Sequence, residues 1–459
     1  MKPAKGSLSS ATTRDLLRPL SKVWRKYVAA FPGDPAERQP VHSVYGGAHL
    51  FAADTAQKFS EHALQTLRDF APHPASLASA LNLDPRLADT IYERVVRKLQ
   101  AEAVEDFRID FEDGYGNRPD DEEDTHAVTA AEEVAKGYAL ETLPPFIGIR
   151  IKPLTAELGA RSLRTMDIFI STLLARTRNR LPKGFVVTLP KIVAKEQVAI
   201  TAKALAALEK ANRLKPDTLR LELMVETTQS VFNPKGEVAL PDLIKAGGGR
   251  IRGAHFGTYD YTAGCNITAH HQSMTHPACD FAKHVIQVSL AGTGIAISDG
   301  ATNVMPVPPH KPKPGQTLSL EQDGENREAV HRVFRLHYEH VRHSLRQGFY
   351  QGWDLHPAQL PTRYAAVYAF FLEGLAESSA RLRNFIERAA QATLQGEVFD
   401  DAATGQGLLN YFLRALNCGA IGLTDIEATG LSVDEIQTRS FAQILRGRRA
   451  MNHAGEVKP

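Results

Sequence analysis

Hydrophobic positions along this chain fall into short apolar runs that alternate with longer amphipathic segments. From Val41 onward, runs of four to eight apolar, β-branched or glycine-punctuated residues are separated by stretches in which apolar residues recur with a helical period. Runs of the first kind predict strands, and segments of the second kind predict helices. Strands are therefore predicted at residues 43–51, 106–112, 146–152, 185–189, 219–225, 251–257, 294–298 and 352–356.

The predicted helices lie between those strands, at residues 54–69, 125–138, 161–176, 194–212, 241–246, 278–291 and 328–347. Strands that alternate with helices form βαβ units around a parallel sheet, and eight such units close into a barrel. We therefore predict an α/β protein with a (β/α)₈ TIM barrel over residues 41–361. An open doubly wound sheet is the alternative, although no G-x-G-x-x-G motif follows an early strand.

The two ends of the chain have a different character. Residues 1–40 are polar and basic, with Pro32, Pro35 and Pro40 near their end, which predicts an N-terminal arm or a short helix. Residues 362–459 carry helical patterns at 365–390, 408–416 and 433–445, separated by turns that contain glycine. We predict a helical C-terminal segment there and expect it to cover the barrel mouth, either of its own barrel or of a neighbouring copy.

Composition narrows the class of partner. The formal net charge of +2 over 459 residues gives no argument for binding nucleic acid or a membrane surface. The three cysteines, Cys265, Cys279 and Cys418, are widely spaced, which is typical of a reduced, cytoplasmic protein without a disulfide framework or a zinc site. The sequence has neither an apolar run long enough to span a bilayer nor the continuous apolar stretch of a secretory signal.

Ionisable residues follow one predicted strand after another. The carboxyl ends of barrel strands meet at one mouth, where barrel enzymes place their chemistry, so we expect these side chains to lie together. Taken singly, each has an ordinary structural explanation, such as a salt bridge, a helix cap or a hydrogen-bonded histidine. In chain order the strand ends offer Asp110, Glu112 and Asp113, then Arg150, Lys191, Glu226, Asp260, Asp299 and His356.

The acidic segment after the second strand is the richest of these. Residues 110–113 read Asp-Phe-Glu-Asp and run into Gly114 and Gly116, which allow the backbone to approach a ligand closely. Carboxylates in such a turn suit either a hard cation or a proton transfer. A solvated acidic loop is the alternative for this segment taken alone.

The ordered set resembles the HpcH/HpaI aldolase and citrate lyase β-subunit-like (CitE-like) family, which includes malyl-CoA lyases. The resemblance covers roughly residues 41–361 and rests on short motifs in the family's order. These are Asp110-Phe111-Glu112-Asp113, Arg150, Pro190-Lys191, Glu226-Thr227, Gly257-Thr258-Tyr259-Asp260 and Leu355-His356-Pro357-Ala358-Gln359. The sequence departs from the family at Lys152, where an asparagine is common, and in its long helical tail.

The resemblance implies a barrel that holds Mg²⁺ through Glu226 and Asp260. It implies that Arg150 binds the carbonyl oxygen that becomes an enolate, and a guanidinium beside a dication would stabilise that developing charge. We predict that Asp110 or Asp113 handles the proton. Glu112, Lys191, Asp299 and His356 are the predicted substrate-binding residues.

Three functions are consistent with this sequence. The leading hypothesis is a Mg²⁺-dependent carbon–carbon lyase that acts on a β-hydroxy acid or its acyl-CoA thioester through an enolate. The second is an aldolase of free 2-oxo acids with a pyruvate enolate as its intermediate. The third is a barrel without catalytic activity that serves as a binding or regulatory protein. For either enzyme we expect a small-molecule substrate and a homo-oligomer.

Overall fold

The eight predicted strands are confirmed and form one parallel sheet that closes into a barrel. A computed structural model describes residues 6–35, 37–312, 315–387, 393–395, 398–400 and 402–455. In this part of the chain the strand order is β7-β6-β5-β4-β3-β2-β1-β8, and main-chain contacts of residues 299–301 with 351–353 join the two edges. The strands are β1 (His42–Gly47), β2 (Asp106–Asp110), β3 (Phe146–Arg150), β4 (Val186–Leu189), β5 (Arg220–Val225), β6 (Ile251–Phe256), β7 (Ala296–Ser298) and β8 (Gly352–Asp354).

Helices surround the barrel and extend from both ends of it. They are α1 (Ser10–Ala30), α2 (Thr55–Phe70), α3 (Pro74–Leu81), α4 (Ala88–Glu102), α5 (Asp120–Leu140), α6 (Gly159–Arg176), α7 (Lys195–Ala211), α8 (Thr228–Val231), α9 (Leu240–Ala246), α10 (Thr258–Gly264), α11 (Pro277–Leu290), α12 (Leu320–Arg346), α13 (Leu360–Glu373), α14 (Leu375–Glu387), α15 (Ala402–Asn417), α16 (Leu423–Glu427), α17 (Val433–Gln437) and α18 (Phe441–Gly455). A short antiparallel pair, β9 (Thr393–Gln395) and β10 (Val398–Asp400), precedes α15. The sequence predictions missed α3, α4, α8, α10 and α16.

Alternation along each strand divides the side chains between the helices and the barrel interior. On β2, Phe107 and Ile109 are buried in the main hydrophobic core, while Arg108 points inward. Arg108 forms an ion pair with Asp106, and its Nη2 lies 2.8 Å from Glu222 of β5 on the far side of the barrel. Although burial opposes ionisation of Glu222, the charges of Arg108 and His255 lower the pKa of its carboxyl. The interior therefore contains a neutralised cluster of charges.

The seam between β8 and β1 is held by a buried carboxylate with three partners. Asp354 accepts hydrogen bonds from His42 Nδ1 at 2.7 Å and from Arg363 Nη2 at 2.9 Å, and His337 Nε2 lies 3.1 Å away. His42 Nε2 accepts the main-chain N–H of Glu105 at 3.0 Å, so the His42 proton is on Nδ1. Burial opposes ionisation of Asp354, but Arg363 and both histidines lower its pKa well below the usual value.

Helix α13 crosses position 361, at which the sequence places the end of the barrel domain. Besides Arg363, it buries Tyr364, whose hydroxyl donates to the carbonyl of Ala103 beside α4 at 2.9 Å. The helix therefore packs on the barrel as the one that follows β8. The helix predicted at 365–390 is two helices, α13 and α14, divided at Gly374, and positions 388–390 lie outside the described residues.

The described part of the C-terminal segment lies at the end of the barrel where the strands begin. Asn417 of α15 exchanges two hydrogen bonds of 3.0 Å with the main chain of Gln39, just before β1. Arg414 donates to the side chain of Asp34 at 2.5 Å, and Arg439 donates to the main-chain carbonyl of Asp34 at 3.2 Å. The expectation that this segment covers the mouth of its own barrel was wrong, because helical periodicity does not specify the end of the barrel on which a helix packs.

Helix α1 confirms a helical arm before the barrel. No side chain of α1 is buried, and Leu17, Leu20, Trp24 and Tyr27, spaced by three and four residues, are each more than 50% exposed. These positions form one apolar stripe on the helix. Within the described residues, every helix is too short or too polar to cross a lipid bilayer.

The buried His340 predicts a loss of stability in mild acid. Burial, with a smaller contribution from His337, lowers the pKa of His340 to about 4, and its Nδ1 lies 3.0 Å from the Thr302 hydroxyl. The unfolded chain binds this proton near an ordinary pKa of about 6.5, so stability falls as the pH drops from that value towards 4. Between pH 7 and pH 5 the free energy of unfolding should fall by about 2 kcal/mol from this residue.

Urea unfolding at a series of pH values measures this effect. His340→Gln should flatten the profile, whereas His284→Gln, at an exposed position of α11, should leave it unchanged. Equal slopes in the wild type and His340→Gln would contradict the assignment.

Candidate active site

A buried arginine–carboxylate pair lies where β2 and β3 end. Asp110 and Arg150 are register partners on the two strands. Arg150 donates from Nε and Nη2 to the two Asp110 oxygens at 2.7 and 2.5 Å, and Asp110 also accepts the main-chain N–H groups of Glu112 and Gly114. Both side chains are buried, so this two-pronged contact fixes the plane of the guanidinium. Both oxygens of Asp110 are used to hold Arg150 and the turn.

The remaining arm of Arg150 faces two further carboxylates. Its Nη1 lies 3.1 Å from Glu112 and 3.9 Å from Asp113. Its guanidinium carbon lies 4.8 Å from the ring centre of Tyr45 and 5.7 Å from that of Trp353, within the range of cation–π attraction. Arg150 therefore combines a fixed orientation with one edge that faces the mouth.

Lys191 joins the acids from the opposite side. Its ammonium contacts Glu112, lies 3.0 Å from Asp113 and lies 3.6 Å from Asp260. Burial raises the pKa of Glu112 despite these cations. The side chain of Asp113 is 58% exposed. Its partial burial would raise the pKa of its carboxyl, but the charges of Arg150 and Lys191 outweigh that effect and lower the pKa. The site thus contains one carboxyl that retains its proton more readily than usual and one that is held ionised.

Glu226 is the buried carboxylate at the end of β5. It is 2% exposed, and burial, with a smaller contribution from the charge of Asp260, raises its pKa to about 7. One Glu226 oxygen accepts the main-chain N–H of Lys191 at 2.7 Å. Lys191 adopts a left-handed backbone with φ 48°, which is uncommon for a residue other than glycine and turns that N–H toward Glu226.

Glu226 and Asp260 form a donor set that suits a hard cation. Both offer only oxygens, and the charge of Asp260 adds to the effect of burial in raising the pKa of Glu226. Mg²⁺ takes one or two carboxylates in proteins and retains water on its other positions. No group of three or more His, Cys, Asp and Glu side chains among the described residues is arranged to hold a metal. The pair fits magnesium in its usual protein environment, whereas a structural zinc site needs more protein ligands.

Below Arg150, three buried polar groups lack partners. The Tyr45 hydroxyl, the indole N–H of Trp353 and His255 Nδ1 have no hydrogen bond within the described chain. The rings of Tyr45 and Trp353 are 4.1 Å apart between centres, and those of His255 and Trp353 are 6.5 Å apart. A buried donor without a partner costs about 1–3 kcal/mol, so water or a polar ligand is expected to bind these groups.

Two predicted site residues lie outside this cluster. Asp299 bonds with the Lys283 ammonium at 3.0 Å and with the Ser344 hydroxyl at 2.6 Å, between α11 and α12. His356 caps the turn after β8, accepts the N–H of Ala358 and packs edge-on against a histidine of α2. Their partners lie in the surrounding helices and in the turn after β8, so the structure does not bring these two side chains into contact with Arg150.

The sequence reasoning missed Tyr45 and Trp353 because neither residue stands at a strand end. Both face the interior one layer below the mouth, on β1 and β8. Strand alternation contained the signal, since Trp353 is flanked by the outward-facing Gly352 and Asp354. Lys152, where the sequence departs from the family, donates to the carbonyl of Phe111 at 2.7 Å and lies 3.2 Å from Glu123. It therefore supports the acidic turn from behind.

A family model that describes a domain of unknown function, DUF6986, matches residues 20–444. The chain belongs to the DUF6986 family. The matched region includes the end of α1, the whole barrel and most of the C-terminal segment of this DUF6986 protein. No curated protein matches it.

Solved structures resemble the DUF6986 protein in fold. A citrate lyase from Burkholderia xenovorans LB400 is 16% identical, with a TM-score of 0.55 over 86% of this chain and 97% of that one. A malate synthase from Haloferax volcanii is 12% identical, with a TM-score of 0.47 over 77% and 93% of the two chains. CitE from Mycobacterium tuberculosis, in complex with magnesium, acetoacetate and coenzyme A, is 15% identical, with a TM-score of 0.46 over 82% and 97%.

The first of these likenesses confirms the resemblance read from the sequence at the level of the fold. The DUF6986 barrel shares its architecture with a citrate lyase chain along nearly the whole of that chain. The ligands and the reaction of the DUF6986 protein have to be inferred from its own residues.

Gly257 is predicted to be required for the position of Glu226. A Cβ atom at Gly257 would lie 2.5 Å from Glu226 Cβ and 2.7 Å from one carboxylate oxygen, inside van der Waals contact. Gly257→Ala should displace the Glu226 side chain and lower the free energy of unfolding by about 1–3 kcal/mol, the usual cost of overpacking. Gly264→Ala is the matched control, because its nearest neighbour is a methyl group of Thr228 at 3.8 Å.

Urea unfolding of the two variants, with a crystal structure of Gly257→Ala, measures both effects. A Gly257→Ala protein with wild-type stability and an unmoved Glu226 would contradict this prediction. It would show that the backbones at Glu226 and Gly257 separate easily.

Proposed function

We infer that the DUF6986 protein is a Mg²⁺-dependent carbon–carbon lyase that acts on a β-hydroxy acid or its acyl-CoA thioester through an enolate. The arrangement of Arg150 carries this proposal. Its guanidinium is held in one plane by Asp110, its remaining edge faces Glu112 and Asp113 at the mouth, and its charge acts on the buried carboxyl of Glu226. Preoriented positive charge in a buried site stabilises an oxyanion more than the same charge in water.

Glu226 and Asp260 are the residues that would hold Mg²⁺. When bound there, the ion would supply a Lewis acid that polarises substrate oxygens. Lys191 fixes this pair from the protein side, since its main-chain N–H binds Glu226 and its ammonium lies near Asp260.

Arg150 would bind the substrate oxygen that gains negative charge as the carbon–carbon bond breaks. In a retro-aldol step, a base removes the proton of the β-hydroxyl, the bond breaks, and the electron pair is delocalised onto the enolate oxygen. Asp113 suits the base, because it is accessible and held ionised by Arg150 and Lys191. Asp110, with both oxygens engaged, suits the positioning of Arg150 better than a proton transfer.

The groups beneath Arg150 support a polar substrate. The Tyr45 hydroxyl and the Trp353 N–H have no hydrogen-bond partner among the described residues, and both rings lie under the guanidinium. A carboxylate or carbonyl oxygen of the substrate would satisfy them. Glu112, with a raised pKa, would contact the substrate from the side. We keep a homo-oligomer as part of the proposal, since a neighbouring copy could shield the enolate from water.

A retro-aldol screen tests the reaction class. The purified protein is incubated with Mg²⁺ and paired substrates, each β-hydroxy acid as free acid and as CoA thioester, and cleavage products are followed by mass spectrometry. Cleavage that stops with EDTA supports the proposal. Turnover of thioesters alone or of free acids alone identifies the substrate class, and a lack of cleavage in every pair contradicts a lyase.

Arg150→Lys should lower kcat about 100- to 1000-fold with a smaller change in KM. The ammonium keeps the charge but loses the planar fork that Asp110 orients. Arg164→Lys on α6, where the arginine is exposed and pairs with Asp124, is the matched control and should keep full kcat. Steady-state kinetics and melting temperatures of both variants make the measurement. A purely structural Arg150 would lower the melting temperature and leave kcat per folded molecule intact.

Glu226→Gln should abolish Mg²⁺-dependent activity and Mg²⁺ binding without loss of stability. Because burial already raises the pKa of this carboxyl to about 7, a neutral amide of the same shape is tolerated in the fold. Calorimetric titration with Mg²⁺ and thermal unfolding are the readouts, with the exposed Glu157→Gln as control. Unchanged Mg²⁺ affinity in Glu226→Gln would remove Glu226 from the metal site.

A further inference from the structure

A cavity opens at the opposite end of the barrel from the candidate active site. It has a volume of about 1220 Å³ and is lined by residues at the starts of the strands, including Asp106, Arg220 and Gln351. Residues 31–35 and 37–40 and part of the C-terminal segment lie across it. A space of this size accommodates a small metabolite.

Arginines dominate the charge of this cavity. In the described part of the chain, six arginines line it, together with four carboxylates, Asp34, Glu37, Asp106 and Glu222. Three arginines are neutralised: Arg38 by Glu102 and Glu105, Arg108 by Asp106 and Glu222, and Arg414 by Asp34. Three of the four carboxylates are thereby used, and Glu37 has no ion pair among the described residues.

Among the residues that the structure describes, the other three arginines form no ion pair with a carboxylate. Within that part of the chain, Arg220 donates to the carbonyl of Gly249, at 3.3 Å, and Arg439 donates to main-chain carbonyls of residues 34 and 35. Arg252 has no hydrogen bond or ion pair within the described part of the chain. Burial and then the charge of Arg252 lower the pKa of Arg220, so the two guanidinium groups on β5 and β6 repel each other. Among the described residues that line the cavity, the unpaired charges give a positive excess of two, from three arginines against Glu37.

We propose that this cavity binds a small polyanion with phosphate or carboxylate groups, held by Arg220, Arg252 and Arg439. The planar guanidinium group binds two oxygens of such an anion with two parallel hydrogen bonds, and a bound anion would relieve the repulsion between Arg220 and Arg252. Arg220 and Arg252 belong to the barrel, whereas Arg439 belongs to the C-terminal segment that lies across it. The anion therefore links these two parts of the chain, and its binding stabilises their contact.

Calorimetric titration of the full-length protein with pyrophosphate and with citrate, in EDTA at low ionic strength, tests the site. We expect saturable binding, a rise in melting temperature with ligand, and loss of both at high salt. Pyrophosphate binding alone would identify a phosphorylated ligand, and citrate binding alone a polycarboxylate. The absence of saturable binding of both at millimolar concentration overturns the proposal.

Variants locate the bound anion. Arg252→Gln, at an exposed position, and Arg220→Gln should each weaken binding about tenfold or more, whereas Arg332→Gln on α12 should not. Arg252→Lys should recover part of the affinity because it restores the charge. The Arg150→Lys protein should bind pyrophosphate as the wild type does. Anion binding is therefore tested independently of the proposed lyase activity. Loss of binding in Arg150→Lys, with full binding in Arg252→Gln, would place the anion at the mouth and overturn the proposal.

Discussion

The buried charge of Arg108 is the constraint around which the barrel interior is organised. A guanidinium removed from water must be neutralised by nearby carboxylates, and breaking such a buried pair typically costs about 3–5 kcal/mol. Asp106 supplies one carboxylate from the same strand, and Glu222 supplies the other from across the barrel. This cluster ties β2 to β5 and lies between the cavity at one end and the floor of the mouth at the other. Two sites of different chemistry can therefore occupy one barrel.

At the mouth, charged side chains also lie close together, but there the negative charges are in excess. Five carboxylates, from Asp110, Glu112, Asp113, Glu226 and Asp260, gather around two cations, Arg150 and Lys191. Burial raises the pKa of Glu112 and of Glu226, and the neighbouring charges of Asp113 and Asp260 add to this effect. The excess of acid leaves room for a divalent cation. At the other end of the barrel, arginines exceed acids. The molecule therefore presents opposite local charges at its two ends, although the whole chain carries only +2.

The barrel and the acidic side of its mouth could be predicted from the sequence because both follow from local rules. Parallel strands buried on both faces appear as short apolar runs, and strand-end residues converge because the strands are parallel. The expectation that strand-end residues converge at the mouth was wrong for Asp299 and His356. The strand before each of them is only three residues long. A shift of one position after a strand turns a side chain from the mouth to the helices. The Asp299 carboxylate forms an ion pair with Lys283 of α11, and no local sequence pattern indicates that contact.

The packing of the C-terminal segment could not be predicted for a related reason. The amphipathic pattern of α15 identifies which side of the helix is buried but not what it is buried against. The contacts that place it, between Asn417 and Gln39 and between Arg414 and Asp34, join residues more than 370 positions apart. The orphaned donors of Tyr45 and Trp353 were missed likewise, since a lack of partners is visible only once the whole interior is assembled.

The seam at Asp354 has a consequence for how the protein forms. His42 lies at the start of the first strand, and its partner carboxylate stands 312 residues later, with Arg363 nine residues beyond that. While the chain is being synthesised, β1 has no neighbour on that side until the last strand and α13 have left the ribosome. The edge of β1 and its unpaired histidine remain open until then, and exposed edges of this kind promote association with other chains. Cellular yield would therefore depend on how quickly the final quarter of the chain follows the rest.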